Sequence, residues 1–402
     1  MDAPFHEISG GITAPRGFRA AATCCGIKES SGGRDDVGMI VSDGPAVGAA
    51  TFTTNKIKAA PVRVSMTHLR SADLRGVIVN SGNANACTGA VGILNAKRMA
   101  AAAAAAVGLK AKQFLVCSTG RIGRNLPIER LEGCLPDLAR KLSVDGGEAV
   151  ARAIMTSDTF AKEIAIEFTL QGKPVRIGGI AKGAGMINPD MATMLCFVTT
   201  DAILAKRHLQ DLFRSSVEQS FNRITIDGDM STNDTAICLA SGRAEVAALQ
   251  EPDFATFASG LHFVTRQLAR MIVEDGEGAT KFVEVHVKNA ATYQDARKAA
   301  EAVANSTLVK CSWCGEDPNW GRVMDAIGYS TAKVREEMVD IFYSGVIAVK
   351  HGGASGTPED KLQEVLRNRN FTVTIDLHLG TAEYKVFTTD LTPEYVRLNL
   401  GE

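Results

Sequence analysis

Between residues 194 and 198 the chain reads Met-Leu-Cys-Phe-Val, an unbroken apolar run. Alternate side chains of a strand face opposite sides, so such a run suits a central strand with both faces of its sheet covered. That segment points to a sheet layered against helices. Arg75 to Asn80, with Gly-Val-Ile-Val inside it, and Phe114 to Cys117 predict further short buried strands. Glu163 to Thr169 and Pro174 to Ala181 flank Gln171-Gly172-Lys173 and predict a hairpin. Helical patterns are expected from about Ile93 to Val107, at Gly147 to Met155, Leu204 to Phe221, Pro252 to Glu274 and Tyr293 to Ala304. Phe371 to Leu379 and Glu383 to Thr388 are expected as antiparallel strands. The fold class is α/β. With neither an internal repeat nor a long linker, one intimately packed body is expected rather than beads on a string.

Composition narrows the function. Apolar residues make up 45% and charged residues 22% of 402, the proportions of a globular protein. Lys plus Arg (44) nearly balance Asp plus Glu (45), so the chain has no overall field to hold nucleic acid or an anionic membrane. The start, Met1 to Glu7, is neither basic nor apolar, and no secretory signal is expected. The most apolar run, Met99 to Val107, falls far short of the roughly 20 residues of a membrane span and predicts a surface helix. Nine cysteines predict reduced thiols in the cytoplasm rather than a disulfide framework. Cys311-Ser312-Trp313-Cys314 is a lone CxxC with no second pair, which argues for core cysteines over zinc; no metal site is expected.

Common catalytic motifs fail. There is no GxxxxGK[ST] and no GxSxG. Gly183-Ala184-Gly185 lacks a third glycine, and Pro189 blocks the helix that would receive a pyrophosphate. Asp227-Gly228-Asp229 begins like a calcium loop but has Thr232 and Cys238 where Gly and Glu are needed. What remains is a set of small-residue polar segments: Asn80 to Gly89, Ser118 to Gly123, Lys182 to Thr193, Asp275 to Lys281 and Gly315 to Arg322. Singly each reads as a turn; five of them, set against strands, read as the wall of a pocket.

One of these segments, Lys182-Gly183-Ala184-Gly185-Met186-Ile187-Asn188-Pro189-Asp190-Met191-Ala192-Thr193-Met194-Leu195, resembles the autocleavage segment of the ornithine acetyltransferase family, the bifunctional glutamate N-acetyltransferases of arginine biosynthesis. The similarity runs from Gly11-Ile12-Thr13-Ala14-Pro15-Arg16-Gly17-Phe18 to Tyr395-Val396-Arg397-Leu398-Asn399. Ala184 and Asp190 stand where Ser and Asn are more usual. Only Leu400-Gly401-Glu402 follow Asn399, where the family continues to a substrate-binding Thr.

The resemblance implies a layered α/β sandwich of the ornithine acetyltransferase and aminopeptidase superfamily, with mixed sheets and covering helices. It implies a cut between Ala192 and Thr193, giving an α chain of residues 1–192 and a β chain of residues 193–402 that stay together in a heterotetramer or larger assembly. Thr193 would be the nucleophile, and its freed α-amino group, with a reference pKa near 7.7–8.0, its base. Thr119 and Gly120 would form the oxyanion hole, through backbone N–H groups facing a pocket. Thr156, Lys182, Thr193, Glu277 and Asn399 would bind substrate: Lys182 a carboxylate, Glu277 an amine. Asn83, Asn85, Asn319 and Arg322 would shape the pocket or brace its loops. The activity implied is acetyl transfer from N2-acetylornithine to glutamate, without a cofactor, acetyl-CoA standing as a second acetyl donor. An aminopeptidase or amidase, in which water releases the acyl group, and a binding or scaffold protein are the alternatives.

Overall fold

The computed structural model describes residues 5–28, 32–188, 194–251 and 253–400. These divide into two compact units, each assembled from separated stretches of chain. The first takes residues 1–183, 190–222 and 230–272; the second takes 184–189, 223–229 and 273–402. Each unit takes in three separated stretches, so the chain passes from one to the other repeatedly. The boundary at 192/193 is a proposed cut, not a border between them.

The first unit runs β1 (His6–Ile8), β2 (Phe18–Thr23), β3 (Val37–Phe52), α1 (Ala60–His68), β4 (Leu74–Asn80), α2 (Gly89–Ala106), β5 (Phe114–Ser118), α3 (Ile128–Arg140), α4 (Gly147–Ala153), β6 (Lys162–Leu170), β7 (Lys173–Lys182), β8 (Leu195–Thr200), α5 (Lys206–Glu218), β9 (Thr235–Ala240) and α6 (Asp253–Glu274). Its mixed sheet has the order β1-β6-β7-β8-β9-β3-β4-β5, with β2 also on β3. The apolar run lies in the middle as β8, buried throughout, antiparallel to β7 and parallel to β9. β3 serves two neighbourhoods. Val37 to Val41 pair with β4, Val47 to Phe52 pair with β9, and a register shift falls around Pro45, which has no N–H to give a ladder.

Alternation along these strands fills two cores. Met39, Val41, Ile78 and Val116 pack under α1, α2 and α3, while Ile40, Val77, Val79 and Leu115 pack with α4. The Ala-rich run of α2 is half core: Met99, Ala100, Ala103 and Ala104 are buried, because alanine lets a helix approach the sheet closely. Cys25 and Cys134 are joined as a disulfide with Cα atoms 6.1 Å apart, which corrects the expectation that all nine thiols are reduced. Both lie beside the α3 core, and only the fold brings positions so distant in sequence together. No helix among the described residues is long and apolar enough to cross a membrane.

The second unit continues with β10 (Phe282–Ala290), α7 (Tyr293–Asn305), α8 (Thr307–Cys314), α9 (Trp320–Tyr329), β11 (Asp340–Tyr343), β12 (Val346–Lys350), β13 (Gly353–Ala354), α10 (Glu359–Leu366), β14 (Asn370–Asp376), β15 (Ala382–Thr389) and α11 (Pro393–Leu398). Its sheet order is β13-β12-β11-β14-β10-β15. β14 and β15 are antiparallel in direction, as expected, but do not pair. β10 inserts between them, parallel to β14 and antiparallel to β15. On α8, Cys311 is exposed and Cys314 only partly buried, so the CxxC is not a core pair. Residues 315–319 join α8 to α9, two helices rather than strands.

Candidate active site

In the first unit, β7 ends at Lys182, which is 3% exposed. Its Nζ donates to the Thr156 hydroxyl at 2.7 Å and to the Thr119 hydroxyl at 3.5 Å. Beneath it lies Asp158, whose Oδ1 accepts from Lys162 Nζ and from Gly183 N–H, both at 2.7 Å. Asp158 Oδ2 accepts the Thr156 N–H at 2.9 Å and stands 3.9 Å from Lys182 Nζ. Burial alone would raise this carboxyl. The Lys182 and Lys162 ammonium groups and the Gly183 N–H overcome it and hold the pKa down at about 2. The ionised Asp158 in turn fixes where Lys182 and Thr156 stand. It was absent from the sequence-based candidates; within Thr156-Ser157-Asp158 nothing local marks it as buried.

The loops from β4 and β5 meet beside this cluster. Asn80 Oδ1 accepts the Ser118 hydroxyl at 2.6 Å, and Asn80 Nδ2 donates to Asn83 O at 2.9 Å. Asn83 holds Arg124 O and Asn125 O, while Asn85 Nδ2 reaches Gly92 O, so both brace loops as expected. Gly120 adopts φ +127°, and a Cβ there would lie 2.3 Å from the Gly82 carbonyl carbon; only glycine fits. One expectation changes. The Thr119 N–H donates to Asn80 O at 3.0 Å and is spent. The donors left at this turn are the Thr119 hydroxyl and the Gly120 N–H, which has no partner among the described residues.

At the foot of β8, Met194 N–H donates to Asp234 Oδ1 at 3.1 Å. Asp234 is fully buried, and burial raises its pKa well above the ordinary carboxylate value, against the lowering effects of the Met194 N–H, the nearby Thr53 hydroxyl and the Lys182 charge. Asn233, next to it, ties Ala84 O and Ser118 O together at 2.7 and 2.8 Å. Ala192 and Thr193, the expected cleavage pair, lie outside the described residues.

The second unit holds the other expected contacts. Glu277 N–H donates to Ala184 O at 2.8 Å, and its Oε2 accepts from Asn399 Nδ2 at 3.0 Å. Gly185 backs the Glu277 carboxylate so closely that a Cβ would lie 2.6–2.7 Å from its carbon and both oxygens. The following residues are fastened by Asp227, which accepts the Met186 and Ile187 N–H groups at 2.6 and 2.9 Å and the Tyr395 hydroxyl at 3.2 Å. Tyr395 sits on α11, the helix whose C-terminal cap is Asn399. Asn319 bonds Asp317 and Arg322 bonds Leu308 O, so these two brace the α8–α9 turn. Thr119, Thr156 and Lys182 thus come together in one unit, and Glu277 and Asn399 in the other.

A family profile described as the ArgJ family matches residues 19–401. The chain is 49% identical to the arginine biosynthesis bifunctional protein of Geobacter sulfurreducens, over 96% of this chain and 98% of that protein. It is 44% identical to the glutamate N-acetyltransferase of Methanocaldococcus jannaschii, over 98% of each. A crystal structure of the arginine biosynthesis bifunctional protein from Bacillus halodurans is 41% identical with a TM-score of 0.50, covering 51% of this chain and 98% of its own.

Proposed function

The chain belongs to the ArgJ family, and on that premise we propose that it is a glutamate N-acetyltransferase that takes acetyl from N2-acetylornithine through an acetyl-Thr193 intermediate. The observation that carries this reading is the Lys182 cluster. A buried, charge-fixed lysine holds two threonine hydroxyls beside a glycine turn whose Gly120 N–H has no partner among the described residues. Such a site offers a cation for a substrate carboxylate and neutral donors for an oxyanion, which is what acyl transfer between amino acids needs.

Maturation comes first. The Thr193 hydroxyl attacks the Ala192 carbonyl, and hydrolysis of the resulting ester leaves Thr193 with a free α-amine. The crystallised Bacillus halodurans chain, half the length of this one, has the size expected of one product of such a cut. In the donor step, the hydroxyl oxygen of Thr193 attacks the acetyl carbonyl of N2-acetylornithine while its α-amine takes the hydroxyl proton. The Gly120 N–H and the Thr119 hydroxyl receive the oxyanion. The amide C–N bond breaks, the ammonium returns its proton to the departing nitrogen, and ornithine leaves. Glutamate then attacks the ester, forms N-acetylglutamate and restores the Thr193 hydroxyl. Thr156 and Lys182 are assigned the substrate carboxylate, Glu277 and Asn399 the amine. Acetyl-CoA is a second acetyl donor in this scheme; no step calls for a cofactor or metal. A cytoplasmic assembly of the two cleaved chains, a heterotetramer or larger, completes the proposal.

Intact mass spectrometry of the purified protein tests it. We expect two pieces divided between Ala192 and Thr193, the second gaining about 42 Da with N2-acetylornithine and losing it again with glutamate. A cut elsewhere removes Thr193 from the scheme. Release of the adduct as acetate without glutamate assigns the chain to the hydrolase class instead.

A further inference from the structure

Lys28 joins two parts of the Lys182 site that are built from separate segments of the first unit. Its stem lies against Gly82: a Cβ on that glycine would stand 2.8 Å from Lys28 Cγ and 3.1 Å from its Cα and N. Gly120 packs on the same loop, since a Cβ there would stand 2.3 Å from the Gly82 carbonyl carbon and 2.6 Å from Asn83 N. Gly120 thus leans on Gly82, and Gly82 leans on Lys28. In close-packed surroundings, a shift of the Lys28 stem is felt at the turn that presents the Gly120 N–H.

The head of Lys28 reaches another segment. Its Nζ donates to Ala153 O at 3.0 Å and to Asp35 O at 3.4 Å. Ala153 is the last residue of α4, and its carbonyl also accepts the Ser81 hydroxyl. Three residues further on is Thr156, whose hydroxyl takes the Lys182 ammonium. The half-buried Lys28 head also lies within the fields of Lys182 and Asp158; burial lowers its pKa, and Asp36 opposes that.

The backbone of Lys28 is fixed without help from its side chain. The wholly buried Asp36 accepts the Cys25 N–H on Oδ1 at 2.7 Å, and the Ile27 and Lys28 N–H groups on Oδ2 at 2.6 and 3.0 Å. The Asp36 carbonyl accepts the Ser81 N–H at 2.9 Å, and Cys25 is bonded to Cys134 of α3. A substitution of the Lys28 side chain therefore reports on the site more than on the fold of its segment.

We propose that Lys28 is a positioning residue for both halves of the acyl-transfer site: its stem sets the Gly120 turn through Gly82, and its ammonium sets Thr156 through Ala153 O. The proposal rests on the function proposed for the site, in which Gly120 receives the oxyanion while Thr156 and Lys182 take the substrate carboxylate. Lys28 touches no reacting atom and exchanges no proton. Its two ends bear on different constants: the stem on the rate of bound substrate, where the oxyanion develops, and the head on how tightly substrate is held.

The test is single-turnover acetylation of mature protein by N2-acetylornithine, followed by mass, in wild type, Lys28→Met, Lys28→Ala and Lys28→Arg. Lys28→Met keeps the stem and loses the charge. Its half-saturating concentration should rise several-fold, with the limiting rate within about 2-fold of wild type. Lys28→Ala loses the stem as well, and its limiting rate should fall about 10-fold or more. Lys28→Arg keeps both parts and should bring both constants back near wild type. A merely structural role would lower the fraction of chains that take acetyl and leave both constants in place, which overturns the assignment; so does an identical change in Lys28→Met and Lys28→Ala. Should Lys28→Ala remain uncut, the other two variants decide. A half-saturating concentration raised in Lys28→Met and restored in Lys28→Arg supports the assignment, and one unmoved in Lys28→Met overturns it. A wild type that gains no acetyl mass defeats the transferase reading and this assignment with it; a normal wild-type adduct with unmoved constants in the variants defeats this assignment alone.

Discussion

Two buried aspartates of the first unit have their pKa values moved in opposite directions. Asp158 receives two backbone N–H groups and the Lys162 ammonium, with Lys182 close by, and is held ionised at a pKa of about 2. Asp234 receives one backbone N–H, and its pKa rises. Burial is common to both; the number and charge of the donors differ. The effect of burial is thus overruled in one place and prevails in the other.

Removing the anchor has the largest expected effect. Asp158→Ala leaves Lys162, wholly buried, without its carboxylate, and should destabilise the protein by about 3–5 kcal/mol in urea unfolding. A loss under about 1 kcal/mol would end the contrast between the two acids. Next comes Lys182→Met, which spares the Asp158–Lys162 pair and so should unfold closer to wild type. It removes the cation assigned to substrate, and kcat/KM for N2-acetylornithine should fall about 100-fold. An equal loss of stability in both variants would mean that Lys182, not Lys162, holds Asp158 in place.

The two acids should also separate by pH. Asp158 has a folded-state pKa below its unfolded value near 3.8, so its contribution is present above pH 4 and lost as pH falls toward 2. Asp234 has a raised pKa, so its contribution is present below pH 3.8 and lost as pH rises through the folded value. Asp158→Asn should therefore flatten the acid limb of the stability curve, and Asp234→Asn should gain on wild type as pH rises. Slopes of one sign in both comparisons would refute the opposition. The smallest effect extends the comparison to a partly exposed acid. Gly185→Ala should push the Glu277 carboxylate off its backing and raise KM for ornithine-bearing substrates several-fold, with stability nearly unchanged. An unaltered KM would leave Glu277 as an ordinary solvated charge.

The sequence displayed what depends on neighbours along the chain. The apolar run of β8, the β6–β7 hairpin and the helices from 206 and 293 follow from local pattern, while Lys182, Thr119 and Gly120 were implied by the family resemblance rather than by any local pattern. Hidden were features made by distant partners. Asp158 and Asp234 are single letters in Thr-Ser-Asp and Thr-Asn-Asp, and their contacts with Lys182 and Met194 are made only by the fold. The engagement of Thr119 N–H by Asn80 needed the β4–β5 pairing. The separation of β14 from β15 needed β10, which comes far earlier in the chain.

The pairing of β7 with β8 has a consequence for the protein's history. Ile177 to Lys182 face Thr200 to Leu195 across the middle of the sheet, and the scissile bond of the proposed cut lies in the connection between them. While that connection is whole, each strand meets the other at the high effective concentration of a short tether. Once it is cut, the same ladder joins two separate molecules that can find each other again only by diffusion. A matured protein that is unfolded in dilute solution should refold in proportion to its concentration, whereas an uncut Thr193→Ala chain should refold at any dilution. Maturation would then be a one-way passage: the fold is written by a single chain and afterwards kept by two that could not easily write it again.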